Sequence, residues 1–126
     1  MREIKFRGRK INTNKWIVGN LGYTKTSGGN SGILVEGKLH IVDSETVGQY
    51  TGLKDKNGKE IYEDDILTAS EELPLYIEFS KEYSAFCFVD MFDPHGRCLY
   101  TTKDLHWEDD LEVAGNIHDN PELLDV

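Results

Sequence analysis

Apolar and polar positions in this chain alternate over short stretches and rarely follow a helical period. Residues 2–7, Arg2-Glu3-Ile4-Lys5-Phe6-Arg7, alternate charge with apolar side chain, which predicts a strand with Ile4 and Phe6 facing inward. After a polar turn at residues 11–15 comes Trp16-Ile17-Val18-Gly19-Asn20-Leu21, a run rich in β-branched and aromatic residues. Residues 24–32 are rich in Gly and Ser and read as a loop. Ile33-Leu34-Val35 and Leu39-His40-Ile41-Val42 flank Glu36-Gly37-Lys38, a pattern that predicts a hairpin turning at Gly37. Asn57-Gly58 predicts a second tight turn, because both residues accept φ > 0 at low cost.

Further strands are expected at 66–69, 75–79, 85–92, 98–101 and 112–117. In the run 85–92, Phe86 and Phe88 share one face while Cys87, Val89 and Met91 share the other. A strand apolar on both faces belongs inside a sheet rather than at its edge. A short helix over 102–109 and a helical turn after Asn120-Pro121 complete the set. Roughly nine short strands and no long amphipathic helix predict an all-β fold, a compact barrel or sandwich with one or two short helices. The 126 residues suit a single domain, 1–126, in which residues 43–49 are the place where two β subdomains would part.

Composition narrows the class. Apolar residues make up 38% and charged residues 29%, a balance that folds rather than stays disordered. No stretch approaches the ~20 apolar residues that span a bilayer, and the alternating start lacks the apolar core of a signal peptide. The expectation is a cytoplasmic protein without membrane contact. The two cysteines fit it. Cys87 and Cys98 flank Asp93-Pro94-His95-Gly96, and a hairpin centred between Pro94 and His95 leaves them about four residues out of register, ~13 Å along a strand. A disulfide needs Cα atoms within about 7 Å, so two free, buried thiols are expected.

Charge is unevenly spread. Residues 1–62 hold 11 Lys/Arg against 6 Asp/Glu, and residues 63–126 hold 3 against 17, for a net charge of −9. Three accounts stay open: neutralisation within one folded domain, self-association of basic half with acidic half, and contact of the basic start with nucleic acid. The basic start supplies a candidate anion or interaction patch, Lys5, Arg7, Arg9 and Lys10, with Lys5, Arg7 and Arg9 on one side of the predicted strand.

Catalytic and cofactor motifs fail on inspection. Gly32 to Lys38 matches the skeleton of a phosphate loop, but Leu39 stands where a magnesium-ligating hydroxyl belongs and the intervening residues form a strand. The runs Glu63-Asp64-Asp65 and Glu108-Asp109-Asp110 read as solvated faces. Four histidines are scattered without metal-binding spacing, so no cofactor is expected. Glu63, Asp65 and His106 are the only residues that could serve a metal-dependent hydrolase.

Several blocks carry a resemblance. Arg2 to Gly8, Trp16 to Gly19, Thr46 to Glu63 (TVGQYTGLKDKNGKEIYE) and Val113 to Leu124 (VAGNIHDNPELL) resemble the YopX family of small bacteriophage and prophage proteins. Residues 70–111 carry little of it. The family pattern has Gly where Asp64 stands, and Asp tolerates the left-handed conformation well enough to keep the turn. The resemblance implies a β-rich fold, a phage origin and the host cytoplasm, and brings no catalytic residue or cofactor. The expected role is a non-enzymatic phage accessory protein that binds a protein partner, a second copy of itself included. The alternatives are nucleic-acid binding through the basic strand, and an acidic nucleic-acid mimic that occupies a host protein.

Overall fold

The computed structural model describes residues 4–23, 29–69, 72–90, 92–101 and 111–124. The chain divides into two compact units, Met1–Gly52 and Leu53–Val126. The first contains β1 (Phe6–Arg9), β2 (Trp16–Tyr23), β3 (Asn30–Val35) and β4 (Lys38–Asp43). Strand β5 (Gly48–Lys54) carries the chain across the boundary. The second contains β6 (Glu60–Tyr62), β7 (Asp65–Ala69), β8 (Glu72–Ser80), β9 (Ala85–Asp90), β10 (Cys98–Thr101) and β11 (Glu112–Asn116). Two sheets result, ordered β4-β3-β2-β1-β5-β6 and β10-β9-β8-β7-β11, and every described register is antiparallel. The fold is all-β as expected, and neither sheet closes into a barrel.

In the first unit, alternation sorts the side chains. Ile17, Ile33 and Val42 are buried together, with Val35 and Val47 packed against them. Gly8 belongs to this inner face because nothing larger fits: a Cβ there would stand 2.7 Å from Val42 Cγ2. Lys10 forms an isolated bridge to Val42, so the edge strand β4 is partly covered where the chain leaves β1. The Glu36-Gly37 turn forms as predicted, both residues having positive φ of 50° and 81° and Val35 pairing with Lys38.

The second unit has its own core of Ile61, Leu67, Leu75, Ile77, Phe86, Phe88 and Leu111. Strand β9 lies between β8 and β10, and Ala85 to Val89 are all buried, in agreement with its two apolar faces. The turn of helix expected after Asn120 is a 3-10 turn, Pro121–Leu124.

Four expectations need correction. Ile4 precedes the first strand and is 63% exposed rather than inward. The loop assigned to 24–32 ends earlier, since Asn30 to Gly32 already pair with β4. Asn57-Gly58 turns the chain with positive φ at Gly58 alone. Cys87 and Cys98 are not free thiols: they form a disulfide with Cα atoms 5.4 Å apart. The expected register was wrong because the hairpin is centred between Asp93 and Pro94, one residue earlier, which sets Cys98 opposite Val89 rather than Met91 and diagonal to Cys87. The helix expected at 102–109 lies outside the described residues.

Candidate interaction surface

The blocks that stand out in the sequence build turns. Asp55 is buried, and its Oδ1 accepts the N–H of Asn57 at 2.8 Å and of Lys59 at 2.9 Å. Its Oδ2 accepts the N–H of Val113 at 2.9 Å, stapling the hairpin to β11. Burial pushes the Asp55 carboxyl up, but the N–H groups of Val113, Lys59 and Asn57 outweigh it and hold the group below the ordinary carboxylate value.

The next turn works alike. Asp65 is buried and its Oδ2 accepts the N–H of Tyr62 at 2.7 Å. Asp64 has φ 71° and meets His118 Nε2 with Oδ2 at 3.0 Å. Its backbone donates to the Ile77 carbonyl and accepts from the Ile117 N–H, so the turn joins both neighbouring strands. At the C-terminal block, Asn116 Oδ1 accepts the N–H groups of His118 and Asp119, and Asn120 Oδ1 accepts that of Asn116. Gly115 leaves room for this, because a Cβ would stand 2.8 Å from Asn120 Cγ.

Two of the hydrolase candidates have a described place in these turns. Asp65 is a turn cap, Glu63 sits half-buried in the turn before it, and His106 lies outside the described residues. Among the described residues, no three His, Cys, Asp or Glu side chains stand together as metal ligands. No described helix is long and apolar enough to cross a membrane.

The basic residues fall on the outer face of the first unit's sheet. Arg7 pairs with Val18 and Arg9 with Trp16, while Phe6 and Gly8 turn to the inner face. Two cations are held over rings, Lys5 Nζ at 5.1 Å from the Tyr50 centroid and Arg7 Cζ at 4.7 Å from that of Trp16. Arg9 and Lys10 line a cleft of about 400 Å³ with Asn12, Thr13 and Asp43. The patch is therefore divided between a strand face and the turn after it.

Beyond the cations the same face is apolar. Leu34 pairs with Leu39 and with Asn20, and Gly32 pairs with Ile41. Val18, Leu34, Leu39 and Ile41 thus share one surface, at 41%, 38%, 44% and 37% exposed. Sequence reading missed them, although a signal was there: Ile33-Leu34-Val35 and Ile41-Val42 are consecutive apolar residues, and only one face of each strand fills the inner core.

The molecule so described is an all-β protein of two antiparallel sheets whose most recognisable residues are turn caps. The family model for the YopX protein matches residues 5–125, and the chain belongs to that family. Among solved structures it is similar to the crystal structure of protein EF1440 from Enterococcus faecalis, at 24% identity and a TM-score of 0.59, covering 98% of this chain and 99% of the other. That likeness concerns the fold. No curated protein matches the chain.

Proposed function

We propose that this chain is a non-enzymatic phage accessory protein of the host cytoplasm, and that it works by protein contact, first of all with a second copy of itself. The observation that supports the reading is the outer sheet face of the first unit, where Val18, Leu34, Leu39 and Ile41 are exposed beside Lys5, Arg7 and Arg9. A contiguous apolar patch rimmed by charge is the usual anatomy of a protein contact. Charge selects the occupant. Residues 1–52 hold 8 Lys/Arg against 4 Asp/Glu, and residues 53–126 hold 6 against 19. The acidic unit of a neighbour complements a basic-rimmed face, and reciprocal contact of two chains closes a two-fold dimer.

Static light scattering after size exclusion, at low and high ionic strength, tests the reading. A dimer at low salt that weakens as salt rises supports it. Ile41→Glu together with Leu39→Glu then gives a monomer at both. A wild-type chain that is monomeric under both conditions contradicts it. If that monomer instead binds DNA or RNA with affinity falling steeply with salt, the basic strand serves nucleic acid.

A further inference from the structure

The second unit holds a cleft of about 450 Å³ whose wall includes both cysteines, Cys87 and Cys98, together with Glu78, Glu82, Tyr83, His95 and Arg97. That volume falls in the range of sites that hold small molecules. Cys87 stands directly opposite Glu78 on the neighbouring strand and is 1% exposed. Cys98 begins β10, the edge strand of the sheet, and is half-buried. A reagent entering the cleft therefore reaches Cys98 before Cys87. Arg97 is already engaged by Asp93, its Nε lying 3.2 Å from Oδ2. The lining sets the exposed carboxylates Glu78 and Glu82 against His95 and an Arg97 already paired with Asp93, within a unit that holds 6 Lys/Arg against 19 Asp/Glu.

We propose that this cleft is a thiol–disulfide exchange site that admits low-molecular-weight thiols bearing an ammonium group, with Cys98 as the sulfur attacked. The incoming thiolate forms a bond to Cys98 Sγ while the Cys98–Cys87 bond breaks, and the electron pair leaves on Cys87 Sγ, which takes a proton from solvent. A second thiolate attacks the mixed disulfide at the incoming sulfur, releasing the small-molecule disulfide and the Cys98 thiolate. Two thiols are oxidised as one protein disulfide is reduced, and the reverse sequence restores it. The bond spans 11 residues and ties the edge strand to β9, so exchange tightens or releases one border of the sheet. Disulfides inside cells are characteristically of this transient, sensing kind. The exchange step stands on the cleft and is independent of the self-association reading, while its sensing role rests on the cytoplasmic placement proposed above.

The test uses the oxidised full-length chain with three probes matched for thiolate concentration: cysteamine, 2-mercaptoethanol and 3-mercaptopropionate. Acid quenching and peptide mass mapping should find the first adduct on Cys98, followed by the dithiol. Cysteamine should react roughly two- to five-fold faster than the neutral thiol, the effect expected of exposed ion pairing, with the anionic thiol slowest. Glu82→Gln should narrow the spread between cysteamine and the neutral thiol. Full reduction should lower Tm by roughly 5–15 °C. A first adduct on Cys87, a disulfide inert to all three probes, or equal rates for the three overturns the proposal.

Discussion

Two turns of the second unit are written in the same local code. Asp55-Lys56-Asn57-Gly58-Lys59 and Asp93-Pro94-His95-Gly96-Arg97 each open on an aspartate and reach a glycine of positive φ three residues later, at 82° and 60°. In both, the aspartate carbonyl accepts the glycine N–H, at 2.9 and 3.2 Å. In both, the carboxylate accepts the N–H groups two and four residues on. Their long-range ties differ. Asp55 is buried and spends its second oxygen on Val113, 58 residues away. Asp93 keeps its carboxylate within its own turn, where the Arg97 guanidinium, with the His95 and Arg97 N–H groups, holds it down to about 2. The remote tie near that turn is the Cys87–Cys98 disulfide. An aspartate can shape a turn wherever it stands, but it supports the fold only where its remaining lone pairs reach another strand.

The largest effect should come from breaking the buried tie. Asp55→Ala leaves the N–H groups of Val113, Lys59 and Asn57 without their acceptor and should cost about 2–4 kcal/mol, read from urea unfolding. A loss below about 1 kcal/mol would put the Val113 contact outside the energetics of the fold. Acid should act through the same group. Its folded-state pKa lies below the ordinary 3.8, so its stabilisation is complete above that value and is lost as pH falls through the lowered one. Wild type should therefore lose stability faster than Asp55→Ala over that acidic interval; parallel curves would contradict the assignment.

Asp64 offers an intermediate case, a turn residue with one remote side-chain contact and a left-handed backbone. Asp64→Ala loses the His118 contact and keeps the strained φ, which should cost about 1–2 kcal/mol. Asp64→Gly loses the contact but relaxes the backbone, and should fall within about 0.5 kcal/mol of wild type. If the two variants unfold together, the positive φ carries no cost. The smallest effect belongs to Asp93→Ala, whose bonds are local and exposed: the Tm should barely move while the disulfide is intact. Its effect should grow in a Cys98→Ser background, where the turn has lost its covalent tie. The same small shift in both backgrounds would uncouple turn and disulfide.

How much of this was legible follows from the range of each interaction. Nine of the eleven described strands, the Gly37 hairpin and the helical turn at Pro121 are written in residues a few positions apart, where alternation and turn chemistry suffice; β5 and β6 were not read as strands. Asp55 could be seen beside Asn57-Gly58 but not Val113 beyond it, and Asp64 could be matched to the family's Gly but not to His118, 54 residues on. The disulfide was missed because the hairpin pairs Cys98 with Val89 rather than Met91, and a turn centred one residue earlier leaves little trace in composition. The outer face of the first unit was hidden for a third reason. Its basic residues were visible as a one-sided row, whereas the exposure of Leu34, Leu39 and Ile41 depends on which face the pairing turns inward.

The separation of fold-making residues from a contact face is tested most directly by one paired measurement. Light scattering and thermal unfolding are recorded on wild type, on Asp55→Ala, and on Ile41→Glu with Leu39→Glu, in the same low-salt buffer. The turn variant should lose Tm and still dimerise below its transition, while the face variant should keep its Tm to within a few degrees and become a monomer. A face variant that unfolds, or one that stays as associated as wild type, contradicts the account.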